Sequence, residues 1–230
     1  MSYVIALWEP PSLAVEGESG RFPVRRIYCV GRNYAEHARE MGGDPTREPP
    51  FFFMKPADAI VPDGGRLPYP PATANLHHEV EMVAAIGKAG HEIAPENAND
   101  HIYGYAAGID LTRRDLQQIS KDRRWPWDTG KGFDHSAPCG NIAPASRIGH
   151  PAKGAITLTI DGTPRQSGDL SEMVWSVPEI VGHLSRLFTL QPGDLIYTGT
   201  PAGVGPVAPG ERLDAKVEGV GSLSVTVEGA

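Results

Sequence analysis

Long hydrophobic runs are missing from this sequence. No apolar stretch approaches the ~18 residues that a membrane-spanning helix needs, so no such helix is expected. Runs of lysine and arginine are missing too, and the net charge is −7 at pH 7. A partner made of phosphates is attracted by clustered positive charge, so nucleic acid is not expected as a ligand. Cysteine is scarce: Cys29 and Cys139 are the only two, with no CxxC spacing. Two separated thiols suit a reducing cytoplasm better than a disulfide scaffold, and both are expected to pack rather than to act as nucleophiles. The start, Met1-Ser2-Tyr3-Val4-Ile5-Ala6-Leu7-Trp8, has neither a basic leader nor a long apolar run, so no signal peptide is expected.

What is present is ordinary globular material. The 230 residues are 40% hydrophobic and 21% charged, enough to bury a substantial core. Glycine (27) and proline (22) together make about a fifth of the chain, against roughly 12% usually. Both punctuate short elements, so many turns and a strand-rich architecture follow. Residues 1–24 read as a short β-like extension ending in Glu16-Gly17-Glu18-Ser19-Gly20, and 25–230 as one domain without internal repeat or linker.

Leu76-His77-His78-Glu79-Val80-Glu81-Met82 carries the most chemistry. With strand period two, Leu76, His78, Val80 and Met82 share one face, and His77, Glu79 and Glu81 share the other. The apolar face predicts a strand at least half buried. Two half-buried like charges are costly unless something positive lies between them. A hard divalent cation meets that need, and oxygen ligands favour Mg2+, Mn2+ or Ca2+ over zinc. A wet edge strand with both carboxylates in solvent is the other reading. Asp110 ends a small-residue apolar strand, Tyr103-Gly104-Tyr105-Ala106-Ala107-Gly108-Ile109. It suits a third oxygen ligand, or equally the N-cap of a helix read from Leu111 to Gln117.

Residues 32–41 read as a short helix capped by Asn33 and closed by Gly42-Gly43,. His37 and Glu40 share its face, and a carboxylate beside an imidazole makes it a better general base. Surface helices also carry such pairs incidentally. The flanking glycines make this helix a candidate lid. Lys55 ends the phenylalanine-rich run Phe51-Phe52-Phe53-Met54, facing a cleft or reaching solvent. Lys131 in Gly130-Lys131-Gly132 has room for a ligand near the backbone, or is a solvated loop lysine. The turn 198–205 offers amides and hydroxyls to a carboxylate, or is a plain loop. Asp161-Gly162 predicts a hairpin, and 177–187 an amphipathic helix with a structural His183. A helix is also read from Ala94 to Asp100, with Pro95 in its first turn.

Several motifs follow one another in order: Tyr28-Cys29-Val30-Gly31-Arg32-Asn33-Tyr34, Glu79-x-Glu81, Asp110-x-Thr112-x-Arg114-Asp115, Lys131-Gly132-Phe133 and Gly193-Asp194-Leu195-Ile196-Tyr197-Thr198-Gly199-Thr200-Pro201. Each alone is weak, but the ordered set is specific. Over about residues 25 to 228 it resembles the fumarylacetoacetate hydrolase superfamily. Leu76-His77-His78-Glu79-Val80-Glu81, Ser167-Gly168-Asp169-Leu170 and Trp175-Ser176-Val177-Pro178 are most similar to the bacterial branch that hydrolyses fumarylpyruvate in gentisate breakdown.

The resemblance implies an α+β, β-rich fold, a mixed β-roll of that superfamily's C-terminal-domain type, usually a homodimer, and the lone thiols make the cytoplasm its expected place,. It implies a divalent metal, Mg2+ or Mn2+ with Ca2+ as a substitute, held by Glu79, Glu81 and Asp110. It implies His37 and Glu40 as a catalytic dyad on a lid, and Lys131 as the active-site lysine. Arg32, Tyr34, Arg114, Gln117 and Thr200 match positions that line the substrate site, while His77 and His78 are assigned as ligands by nothing. The implied activity is hydrolysis of the C–C bond of an acylpyruvate, a 2,4-dioxo acid, with fumarylpyruvate giving fumarate and pyruvate. The rival on the same scaffold is a decarboxylase or isomerase acting on a metal-chelated 2-oxo acid, such as oxaloacetate or a homoprotocatechuate-pathway intermediate. A non-catalytic metal- or carboxylate-binding protein is a third reading, and would need neither the dyad nor Lys131.

Overall fold

The computed structural model describes residues 3–36 and 48–229. Strands dominate it, in keeping with the glycine- and proline-rich composition. The largest sheet has eight strands. Along it lie Phe51–Lys55, Arg26–Gly31, Asp194–Tyr197, Val80–Ile86, Ile102–Ile109, Ala137–Cys139 and Ile60–Pro62, with Ala143–Pro144 beside Ile102–Ile109. Asp194–Tyr197 runs parallel to Arg26–Gly31, and Ala137–Cys139 parallel to Ile60–Pro62. The neighbours of Val80–Ile86 are both antiparallel to it. A second sheet of five strands runs Thr163–Asp169, Ala155–Ile160, Arg212–Val217, Gly221–Glu228, Arg66–Pro68.

Alternation decides where each face goes. Val80, Met82, Ala84 and Ile86 meet Ile156, Leu158, Leu213, Val217 and Val225 in one core between the two sheets. The helix Val177–Leu187 adds Val177, Ile180, Val181 and Leu184 to it. Val83 and Ala85 point the other way, into a second cluster with Cys29, Leu195 and Tyr197. Ser12–Ala14 and Arg21–Pro23 form an antiparallel pair whose Leu13 and Phe22 pack into that second cluster. Every residue of Val80–Ile86 is therefore buried. A central strand with apolar cover on both faces leaves no wet edge for Glu81.

A small three-stranded ribbon positions the site. Leu76–His78 pairs with Thr112–Arg113 on one side and Gly205–Pro206 on the other. The chain just after Asp110 and the chain just after Thr200 are thus stitched to the segment that leads into Glu79. The same pairing delays the helix expected from Leu111, which begins at Arg114 and runs Arg114–Arg123. The element expected over 94–100 is a 3-10 turn, Pro95–His101. The hairpin forms as expected, with Asp161 at φ 49° and Gly162 at φ 77°, the left-handed pair that a two-residue turn favours. Both cysteines are free and buried. No helix among the described residues is long and apolar enough to cross a membrane.

Candidate metal and active site

Glu79 falls in the break between Leu76–His78 and Val80–Ile86, Glu81 lies within the latter strand, and Asp110 follows Ile102–Ile109 directly. Glu81 faces Gly108 across the ladder, and the Asp110 amide donates to the Glu79 carbonyl at 2.8 Å. The two strand ends thereby bring the three carboxylates together, with one oxygen from each within 4.8 Å of the others. Relative exposures are 5%, 1% and 0% for Glu79, Glu81 and Asp110. Asp110 is not a helix cap: Arg113 holds that position.

Three cations face the three carboxylates. Lys131 Nζ donates to Glu79 Oε2 and to Asp110 Oδ2, each at 2.7 Å. Lys55 Nζ lies 2.8 Å from Asp110 Oδ1 and also donates to the carbonyls of Leu111 and Lys131. Arg114 Nη2 is 2.6 Å from Glu79 Oε1. Glu81 Oε2 instead accepts from the Gly199 amide at 2.7 Å. Burial first, then the Asp110 and Glu79 carboxylates, push the Glu81 pKa well above the ordinary carboxylate value. Burial opposes the charge on Lys131, yet Asp110 and Glu79 beside it hold its pKa above the usual lysine value. Among the described residues the three cations pair with Glu79 and Asp110, while Glu81 takes a backbone amide and no cation. An all-oxygen, three-carboxylate donor set fits a hard divalent cation.

A cleft opens on this cluster, and Glu79, Glu81, Arg32, Arg114, Gln117, Lys131 and Thr200 line it together with Phe51, Phe53 and Trp127. Arg32 has φ 59°, a left-handed backbone that non-glycine residues adopt mainly where the surroundings impose it. Arg114 is held on three sides: its Nη1 donates to Gln117 Oε1 at 2.6 Å and its Nε to His77 Nδ1 at 3.3 Å, besides the Glu79 pair. Burial first, then Arg114, lower the His77 pKa to about 4, so its ring is a neutral acceptor. Tyr34 is buried, 1% exposed, and is not among the described residues that line the cavity. His37 and Glu40 lie outside the described residues.

The turn after Asp194–Tyr197 is fixed from behind. Thr198 donates through both its amide and its hydroxyl to the Met82 carbonyl, at 3.0 and 2.8 Å. The Asn33 side chain donates to the carbonyls of Thr198 and Trp175 and accepts from the Trp175 amide, while the stretch it was expected to cap lies, from residue 37 on, outside the described residues. Of the participants, Lys55 was left open between a cleft and solvent, the amide of Gly199 belongs to the turn expected to offer amides to a carboxylate, and Gln166 was not singled out from the sequence. A lysine closing an apolar strand was the one available signal for Lys55. Gln166 had none, because it stands in a hairpin strand of otherwise exposed or half-buried residues.

A β-rich roll with a buried carboxylate triad under a cleft lined by cations and aromatic rings is a scaffold built to hold a divalent ion beside a small anion. The chain belongs to the fumarylacetoacetate hydrolase family: the family model Fumarylacetoacetate (FAA) hydrolase C-terminal matches residues 26–228. It is 54% identical, with a TM-score of 0.96 over 100% of both chains, to a crystal structure of fumarylpyruvate hydrolase from Pseudomonas aeruginosa in complex with Mn2+ and pyruvate. It is 45% identical over 184 residues to the fumarylpyruvate hydrolase of Ralstonia sp, covering 80% of this chain and 95% of that one. Over 204 residues, 89% of this chain and 92% of the other, it is 40% identical to the mitochondrial oxaloacetate tautomerase of Homo sapiens.

Proposed function

We propose that this protein is a metal-dependent hydrolase that splits the C3–C4 bond of an acylpyruvate, with fumarylpyruvate giving fumarate and pyruvate. The observation that carries the reading is the buried Glu79, Glu81 and Asp110 triad with Lys131 bridging two of its members at the floor of a cationic cleft. The similarity to an enzyme crystallised with Mn2+ and pyruvate supports it. A divalent ion held by the triad, Mg2+ or Mn2+, supplies Lewis acidity toward a 2-oxo acid.

The residues of the chain do the rest. Lys55, Lys131 and Arg114 already balance the triad's negative charges. A centre that also holds a divalent ion is net positive and matches a substrate with two carboxylates. Arg114 is committed to Glu79, Gln117 and His77, which makes Arg32 the better candidate to take the distal carboxylate as a bidentate pair. Thr200 donates its hydroxyl to the carboxylate of the 2-oxo acid end. His37, oriented by Glu40, takes a proton from water, and the hydroxide attacks the C4 carbonyl. The C3–C4 bond breaks, fumarate forms, and the pyruvate half leaves as an enolate that is then protonated at C3. An ammonium has three donors. Two on Lys131 go to Glu79 and Asp110, and the third is offered to the oxygen where enolate charge develops.

The gentisate route, the cytoplasm and a homodimer are the setting this reading implies, and light scattering checks the last. The reaction itself is tested on purified protein with Mg2+ or Mn2+ and three substrates: fumarylpyruvate, acetylpyruvate and oxaloacetate. Loss of enol absorbance with fumarate appearing supports hydrolysis. CO2 release or keto–enol interconversion of oxaloacetate, with fumarylpyruvate left intact, replaces it with the decarboxylase or tautomerase reading.

A further inference from the structure

We infer that Gln166 is a positioning residue that makes the Thr200 hydroxyl a donor toward the substrate carboxylate and locks that donor to the metal-ligand strand. The inference rests on the 2-oxo acid site proposed above, but not on C–C bond cleavage.

Gln166 is the single buried residue of Thr163–Asp169, 2% exposed. A bulge turns it inward: Leu158 pairs with Gln166 while the next residue, Thr159, pairs with Pro164, so Arg165 is the extra residue. Bulges of this kind re-aim a side chain beside a functional site. Two glycines let the strand lie directly on the turn that carries Thr200. A Cβ at Gly168 would sit 2.7 Å from Pro201 Cβ, and one at Gly203 would sit 2.5 Å from the Arg165 carbonyl.

The Gln166 amide is fully used. Nε2 donates to the Pro201 carbonyl at 2.9 Å and to Thr200 Oγ1 at 2.8 Å. Oε1 accepts from the Val80 amide at 3.0 Å and lies 2.8 Å from His78 Nδ1. A carbonyl can only accept and a backbone amide can only donate, so Pro201 and Val80 leave one orientation for the side-chain amide. Two polarities follow. His78 Nδ1 carries the hydrogen in its bond to Oε1. Thr200 Oγ1 accepts from Nε2, which leaves its own hydrogen for the cavity that it lines with Glu79, Glu81 and Arg32. Val80 stands between Glu79 and Glu81 in sequence. One side chain therefore fixes the spacing between two metal-ligand candidates and the substrate's hydrogen-bond donor.

The test reads pyruvate binding by calorimetry on Mn2+-loaded protein, with Mn2+ affinity and melting temperature measured for each variant. Gln166→Met removes both polar ends, and Gln166→Glu keeps the shape but forces the Thr200 hydroxyl to donate backwards. Each is expected to weaken pyruvate binding roughly ten- to a hundredfold, the worth of a hydrogen bond to a charged group. Mn2+ should still bind. Thr200→Val is expected to cost as much alone. In the Thr200→Val background, either change at Gln166 should add little, whereas a general charge or packing effect would persist there. Additive losses in the double variants overturn the inference. So do unchanged pyruvate affinity in both Gln166 variants, and a Thr200→Val protein that binds pyruvate as the wild type does. Wild-type protein that binds pyruvate in this pattern but leaves fumarylpyruvate intact removes the proposed reaction and leaves this role standing.

Discussion

Lys55 shows what a single residue contributes here. Its ammonium is wholly buried and pairs with an equally buried Asp110. Lys55→Met keeps the length of the side chain and removes the charge, leaving Asp110 short of one partner. Breaking a buried pair from one side costs about 3–5 kcal/mol, so the melting temperature of the metal-free protein should fall by roughly 6–20 °C for a chain of this size. A drop under about 2 °C would show that Asp110 does not depend on Lys55. The local sequence could not decide between this role and a lysine reaching solvent, because the partner lies on a strand far along the chain. The thiols were easier to read. Burial pushes Cys139 up to about 12 and Cys29 well above the ordinary value. Neither should react with an aromatic disulfide reagent until denaturant is added, and rapid labelling of the native protein would contradict their placement.

At the level of the element, the turn after Asp194–Tyr197 is the most demanding piece. Gly199 has φ 99°, and a Cβ there would lie 2.6 Å from Asn33 Cβ. Gly199→Ala therefore strains the backbone by about 1–3 kcal/mol and moves the amide that Glu81 accepts from. We expect weaker Mn2+ binding and turnover reduced roughly tenfold or more, the worth of a charge-assisted bond, with the far-ultraviolet dichroism unchanged. Full Mn2+ affinity in this variant would separate the turn from the metal site. Period-two alternation was enough to put Glu79 and Glu81 on one face, and Asp161-Gly162 was enough for the hairpin. Pairing across the ribbon was not readable in the same way. Leu76–His78 meets Thr112–Arg113 through non-local register, so the helix after Asp110 was expected too early and Asp110 was left between ligand and cap. The Gln166 contacts escaped for the same reason, since a bulge in a hairpin leaves little mark on local hydrophobic pattern.

For the whole molecule, the ordered motifs carried more than any one of them, and the family match over residues 26–228 agrees with where they lie. Burial decided the triad: a carboxylate pair in solvent holds no ion, whereas three carboxylates that converge almost out of reach of water, one of them facing no cation among the described residues, make a donor set for one,. The most direct test joins that centre to the proposed reaction. Protein stripped with a chelator is titrated with Mn2+ while bound ion and fumarate release from fumarylpyruvate are followed together, for the wild type and for Glu79→Gln. Turnover should be absent in the stripped protein and rise in step with one bound ion per chain, and Glu79→Gln should lose both. Fumarate release at full rate from stripped protein, or undiminished Mn2+ binding by Glu79→Gln, would contradict a metal-dependent hydrolase built on this triad.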